Sequence, residues 1–356
     1  MAQSDLPGRG TQANPGNRFE QLHVELEVDP DAFAEEEFVH RDRMVFYRDA
    51  SRSVLAENDS PDIGFRFSLN PYRGCEHGCI YCYARPSHQY LGFSAGLDFE
   101  RRIIVKTDAP EVLRKELSRR SWEPEVVALS GNTDCYQPIE RKLELTRRCL
   151  EVFAAFRNPV AVITKSALIT RDVDLYAQLA AVGAAHVLCS ITTLDAQLAR
   201  RMEPRAARPE RRLEAIAKLA ASGVPVGVMI GPVIPGLNDE EIPRILAAAA
   251  RAGACSAAWV LLRLPTPVDA LFDAWLTQHF PERRTRVLNR IRETRSGRLS
   301  ESRFGVRQRG EGEYARQIEA LFSAAARKHG LDRPLPPLSG AAFQRPAQAP
   351  AQRSLW

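Results

Sequence analysis

The sequence predicts an α/β fold: an open, partial (β/α)6 barrel of the TIM type, with a helical carboxyl-terminal region and flexible ends. Three observations predict it. Short runs dominated by Val and Ile recur between residues 64 and 262, as expected of strands covered on both faces. Amphipathic segments alternate with these runs, and several stop on a glycine. The number of units, about six, is too small for a closed eight-fold barrel. Repeated strand–helix units imply a parallel sheet with right-handed crossovers, which puts the chemistry at the carboxyl ends of the strands.

Taken in order, residues 1–37 read as a disordered acidic region, because residues 1–40 hold nine acidic side chains against two basic ones and little periodicity. Residues 38–265 form the barrel. Its candidate strands are GFRFSL (64–69), RIIVK (102–106), VVALS (126–130), VAVITK (160–165), AHVLCSIT (185–192), VPVGVMI (224–230) and AAWVLL (257–262). Between them, ERKLELTRRCLEVFAAF (140–156) spaces its apolar residues three and four apart, as an amphipathic helix does. DVDLYAQLAAVG and RRLEAIAKLAASG end on Gly183 and Gly223. Residues 266–331 turn helical and form an arginine-rich accessory region. Residues 332–356, rich in Pro, Ala and Gln, read as a disordered tail.

Composition narrows the class. No run of eighteen apolar residues exists, so no membrane span is expected. The polar start MAQSDLPGRG lacks a secretory pattern, so a cytoplasmic location is expected. Three of the seven cysteines fall within eight residues, which in a reducing compartment points to metal or redox chemistry. Residues 281–310 carry ten arginines against three glutamates. Such a segment can attract a nucleic acid or another phosphate-bearing substrate. The competing reading is a solvated helix face paired with the acidic amino terminus, since no aromatic residue interleaves with 281–303.

The strongest motif is NPYRGCEHGCIYCYAR (70–85), whose cysteines Cys75, Cys79 and Cys82 follow C-x3-C-x2-C. Thiolates suit iron–sulfur clusters, and three of them leave one iron of a [4Fe–4S] cluster open to a small molecule. Gly74 and Gly78 let the loop wrap closely. Structural zinc, with His77 or a distant cysteine as fourth ligand, is the competitor. Such sites usually pair two C-x2-C-like halves, and no second pair is present.

That spacing, with Tyr81 before the last cysteine and an α/β series around it, resembles the radical S-adenosylmethionine (SAM) enzymes. The resemblance implies that SAM chelates the open iron and that reduction of the cluster generates a 5′-deoxyadenosyl radical. It also implies an electron donor such as flavodoxin or ferredoxin. SGNTDCYQPIE (130–140) occupies the place of the family's SAM amino-group motif, with Asn132, Thr133 and Asp134 as polar contacts. PVIPGLND (232–239) is similar to the motif beside the adenine; Ile234 and Gly236 match, while Pro232 and Asp239 depart from it.

The phrases NPYRGCEHGCIYCYARPSH, GLDFE, TDCYQPIE, ITKSALITRD, MEPRAARPERRLEAI and FGVRQRGEGEY resemble one bacterial group related to spore photoproduct lyase and labelled DNA repair photolyase-like. The resemblance covers residues 40–330. It implies a SAM contact for Lys165. Gly131 stands where the lyase has its hydrogen-donating cysteine, which leaves Cys135, four residues on, as a candidate catalytic hydrogen donor or an inert loop thiol. Cys149 and Cys189 read as core residues, and Arg201, Glu203 and Arg205 as an ion-pair network at the barrel rim. The function expected is reductive cleavage of SAM on an unidentified substrate. The alternative is a non-catalytic metal- or cluster-binding scaffold that holds nucleic acid through residues 281–310.

Overall fold

A computed structural model describes residues 8–17 and 44–346. Ten strands are found among them: β1 (Val45–Arg48), β2 (Leu55–Glu57), β3 (Phe67–Leu69), β4 (Tyr72–Arg73), β5 (Arg102–Val105), β6 (Val127–Leu129), β7 (Val160–Thr164), β8 (Ala185–Ser190), β9 (Val226–Val233) and β10 (Ser256–Leu261). Seven form one sheet in the order β10-β9-β8-β7-β6-β3-β2. From β3 to β10 every neighbouring pair is parallel, and β2 closes one edge antiparallel to β3. The parallel sheet with its crossover helices is the expected open, partial barrel.

One expected barrel strand lies elsewhere. RIIVK follows the helix Leu97–Arg101 without a turn, and its strand β5 pairs with β1 and β4 in a separate three-stranded sheet. The apolar run is a strand as expected, but its partners, Val45–Arg48 and Tyr72–Arg73, are too short to announce themselves. The helix expected over 140–156 is two, Glu140–Leu143 and Leu145–Phe156, broken at Glu144 with φ 50°. Gly183 (φ 67°) and Gly223 (φ 76°) do end their helices. Left-handed backbone there is the conformation only glycine adopts freely.

Two apolar clusters organise the packing. The main core fills the space between the sheet and its helices; Ile318 and Phe322 of the helix Glu313–Lys328 join it, with Phe322 against Trp259. A second cluster joins Ile80 and Tyr81 to Leu198, Ile234 and Leu262. Helices Val268–His279 and Pro281–Glu293 cover it with Leu271, Trp275, Val287 and Ile291. The carboxyl-terminal helices therefore brace the loops at the barrel mouth.

Both ends differ from their expected disorder wherever they are described. Gly10 and Thr11 donate their amides to Glu100 at 3.1 and 3.2 Å, and Leu97 N–H donates to Ala13 at 3.2 Å. The rest of the acidic region, residues 1–7 and 18–37, lies outside the described residues. In the tail, Ser339 donates to Gly183, Gln344 donates to Phe156, and the Phe343 ring meets Phe156. The tail thus crosses the helix-to-strand turns on the side away from the strand ends. Composition alone did not reveal these backbone bonds, which tie a low-complexity segment to an existing surface; its last residues, 347–356, lie outside the description.

Candidate active site at the strand ends

The three cysteines sit in the loop after β4, which enters between the small sheet and the barrel. Cys75 N–H donates to Phe99 O at 2.9 Å, and Ile80 N–H to Met202 O at 3.0 Å, so the loop is anchored on both sides. Gly74 (φ 81°) and Gly78 (φ 67°) carry the chain through left-handed backbone. A Cβ at Gly78 would lie 2.7 Å from Glu100 Oε2, and one at Gly74 would lie 2.9 Å from His88 Cε1. The loop can fold this tightly only with glycine at both places.

Cys75 and Cys79 are buried, Cys82 half-buried, and none is in a disulfide. Burial pushes the Cys75 thiol well up, and Asp134 and the neighbouring thiols add to the effect. Burial raises Cys79 and Cys82 as well, against the pull of Lys165 on Cys79 and of Arg85 and Lys165 on Cys82. Thiols buried in low dielectric resist ionisation unless a cationic centre binds them. Among the described residues no three His, Cys, Asp or Glu side chains converge as ligands of one metal ion do. Three thiols in one loop, with no second paired half-site in the sequence, suit three corners of a [4Fe–4S] cluster better than a structural zinc.

Around the loop lie the residues singled out in the sequence. The Asp134 carboxylate accepts from Thr164 Oγ1 at 2.8 and 3.0 Å, from Lys165 N–H at 2.8 Å and from Tyr136 N–H at 2.9 Å. It thereby ties the end of β6 to the end of β7, and His77 Nδ1 stands 3.4 Å away. Lys165 donates its ammonium to Ser190 Oγ at 2.9 Å and Gly231 O at 3.0 Å, with the Tyr81 ring 5.7 Å away. Asn132 is exposed, its amide donating to Asn70 Oδ1 at 2.9 Å, whereas the buried Thr133 spends its hydroxyl on Tyr72 O at 2.6 Å. Ile234 is fully buried, and its N–H is held at 2.6 Å by Asn238 Oδ1. Asn238 also donates to Thr192 O and Pro232 O, and so shapes the 232–238 turn; a lone Asn in a loop gave no warning of this.

Tyr81 points its hydroxyl inward, to Glu203 and Thr192. Glu203 in turn pairs with Arg212, and both side chains are shielded from solvent. Arg205 pairs with Glu76 at 3.0 Å, and Arg201 lies over the Phe280 ring. The rim network is therefore structural for Glu203 and Arg205. Cys135 is wholly buried in the main core; its N–H donates to Ser130 Oγ and its carbonyl accepts from Thr146. Burial raises its thiol well above the usual range.

Two residues at this mouth were missed. Tyr83, next to Cys82, is exposed and donates its hydroxyl to Gly131 O at 2.8 Å. Arg263, just past β10, lies over the Tyr83 ring at 5.7 Å. A tyrosine after a cysteine and an arginine after a strand are each too common to stand out in sequence. Only the fold, which sets the thiol loop against the end of β10, brings them together.

Half of the arginine-rich segment's arginines are engaged within the fold. Arg284 pairs with Asp273, Arg290 with Glu293, Arg303 with Glu301 and Glu311, and Arg307 with Asp62. Arg295 is fully buried and donates to four backbone carbonyls. No helix among the described residues is long and apolar enough to cross a membrane.

Comparison with known proteins agrees with this geometry. The radical SAM superfamily model matches residues 69–249. The uncharacterized protein Rv2578c of Mycobacterium tuberculosis is 36% identical over 314 residues, covering 86% of this chain and 88% of that protein. A radical SAM Nalpha-GlyT isomerase of Pseudomonas phage M6 is 24% identical over 205 residues, 55% of this chain and 39% of that one. In fold, the chain is similar to spore photoproduct lyase complexed with dinucleoside spore photoproduct, with TM-score 0.56, 17% identity, and 80% and 79% of the two chains covered. With the thiol loop, the strand-end site and the matched span all coinciding, the chain belongs to the radical SAM superfamily of enzymes.

Proposed function

We propose that Cys75, Cys79 and Cys82 hold the [4Fe–4S] cluster that this superfamily uses, and that the iron they leave free is the site of SAM. The observation that carries this reading is a loop of three free thiols at the carboxyl ends of a parallel sheet. When bound there and reduced by one electron, SAM would supply methionine and a 5′-deoxyadenosyl radical that abstracts hydrogen from the substrate. The chain's own part is to bind and orient. Asp134 and Lys165 set an anion and a cation beside the thiol loop, suited to the amino and carboxylate groups of a methionine end. Asn132 adds an exposed amide, Thr133 holds the β6 loop in place, Ile234 anchors the 232–238 turn from within the apolar cluster, and Tyr81 packs behind the thiol loop. A flavodoxin or ferredoxin would serve as electron donor.

The alternative of a non-catalytic scaffold that holds nucleic acid through residues 281–310 has less support, since half of those arginines are engaged internally. The deciding experiment is anaerobic reconstitution with iron and sulfide, then SAM and dithionite, followed by quantitation of 5′-deoxyadenosine. Wild type should form it, and the triple variant Cys75→Ala/Cys79→Ala/Cys82→Ala should not. A well-reconstituted wild type that forms none would reject the enzymatic reading.

A further inference from the structure

The mouth of the barrel holds an arginine that no described carboxylate pairs with directly. Arg263 follows β10 and is half-buried over the ring of Tyr83. Its Nε is shut away from solvent without a hydrogen-bond partner, and among the described residues no carboxylate lies in ion-pair range of its guanidinium. Arg295 and Arg307 stand behind it. Arg295 donates to Leu262 O at 2.7 Å and Arg307 O at 2.9 Å, and Leu261 N–H donates to Gln308 O at 2.8 Å. These bonds lock the strand end and the 305–309 turn side by side, which leaves Arg263 within electrostatic range of both Arg307 and Arg295. Glu301 and Glu311 act on Arg295 from a distance, and the carboxylate that acts on Arg263 is Asp62. It is already spent on Arg307 Nε at 2.5 Å and Gly305 N–H at 2.7 Å.

Like charges gathered with too few counter-ions are costly, and burial of part of one guanidinium adds to the cost. An ordinary surface arginine avoids this by keeping its head in water. Arg263 instead has its guanidinium carbon 5.7 Å from the centre of the Tyr83 ring, whose hydroxyl reaches across to Gly131 at the end of β6. The pair therefore spans from the last strand to the second strand of the parallel series, next to Cys82.

We propose that Arg263, backed by Arg295 and Arg307, is an oxyanion-binding subsite that anchors a phosphate or carboxylate group of the substrate beside the thiol loop. A guanidinium fork suits either group, because both present paired oxygens to parallel N–H donors. The proposal rests on the reading of the strand ends as an active site, but its test does not require the cluster to work.

The test titrates the purified chain, of measured iron content, with inorganic phosphate and separately with acetate at constant ionic strength, following binding by calorimetry. Wild type should bind at least one of the two anions. Arg263→Gln should weaken that binding roughly tenfold or more, as expected for a lost charge-assisted contact. Arg263→Lys should retain part of it, and Arg283→Gln, an exposed arginine of the outer helix, should leave it unchanged. Preference for phosphate would point to a phosphate-bearing substrate; preference for acetate would point to a carboxylate-bearing one. Equal binding by wild type and Arg263→Gln, with both folded by circular dichroism, would overturn the proposal, as would no binding of either anion by wild type. Formation of 5′-deoxyadenosine by Arg263→Gln without substrate reports separately on the cluster. If the anion result fails while that activity persists, only the subsite is wrong.

Discussion

Arg85 donates to Glu100 at 2.6 Å with both side chains wholly shielded from solvent. The same guanidinium also donates to Cys79 O, Gly78 O, Ala95 O and Gly96 O. One side chain thus fixes the backbone of the thiol loop from behind, using all of its donors.

Substitution of Arg85 by lysine tests this arrangement. A lysine keeps the charge but has a single nitrogen in place of the planar fork, so most of these carbonyls would lose their partner. The loss should approach that of a broken buried pair, about 3 kcal/mol. Urea unfolding of the iron-free protein checks the stability, and iron per chain after reconstitution checks the loop. Unchanged values in both would mean that the pair is incidental to the loop.

Gly10 tests the amino-terminal segment. Its amide rests on Glu100, and a Cβ there would lie 1.5 Å from Gly78 O, a backbone atom that cannot step aside. Gly10→Ala should therefore lift residues 8–17 off the cysteine loop while leaving the barrel folded. Limited proteolysis should cut that segment faster, and the reconstituted cluster should lose its visible absorbance faster in air. Equal rates for variant and wild type would show that the segment does not shield the loop.

The barrel was legible in the sequence because strands buried on both faces leave continuous runs such as VAVIT, and because Gly183 and Gly223 mark where helices stop. The thiol loop was legible because its ligands are local in sequence. What stayed hidden depends on long-range closure. RIIVK reads like any barrel strand, and only its pairing with Val45–Arg48 shows otherwise. The arginine-rich segment looked like a solvated face because its partners, Asp62 and Asp273, are distant in sequence or sign no pattern. Arg263 and Tyr83 lie 180 residues apart, and no periodicity relates them.

Glu203 gives a pH dependence. Although burial alone would raise it, Arg212 and Lys165, with hydrogen bonds from Thr192 and Tyr81, lower its carboxyl to about 2. Its usual value is 4.5. A depressed carboxyl stabilises the fold fully above its unfolded value, and that contribution fades as pH falls from about 4.5 towards 2. The contribution is on the order of 3 kcal/mol. Glu203→Gln should lower stability at pH 7 by a similar amount, since Arg212 would be left buried and unpaired, and should flatten the loss of stability below pH 4.5. Chemical denaturation from pH 7 to pH 3 measures both. An acid limb of the same slope in wild type and variant would remove Glu203 as its source.

Thiol labelling separates the seven cysteines by position. Cys255 is exposed, whereas Cys135, Cys149 and Cys189 are buried in the main core. Burial raises the thiols of Cys135 and Cys149 and pushes Cys189 up to about 12, so few would be thiolate at neutral pH. With the cluster in place, N-ethylmaleimide should modify Cys255 rapidly; after chelation of iron, Cys75, Cys79 and Cys82 should join it, with Cys82 first because it is the least buried of the three. Cys135 should stay unmodified until the protein unfolds. Cys135→Ala should then cost stability, on the scale of a small core truncation of about 1 kcal/mol, and leave 5′-deoxyadenosine formation unchanged. Peptide mapping by mass spectrometry reads the order of modification. Rapid labelling of Cys135 in the folded protein would instead show that its thiol reaches the barrel mouth, and would restore it as a candidate hydrogen donor.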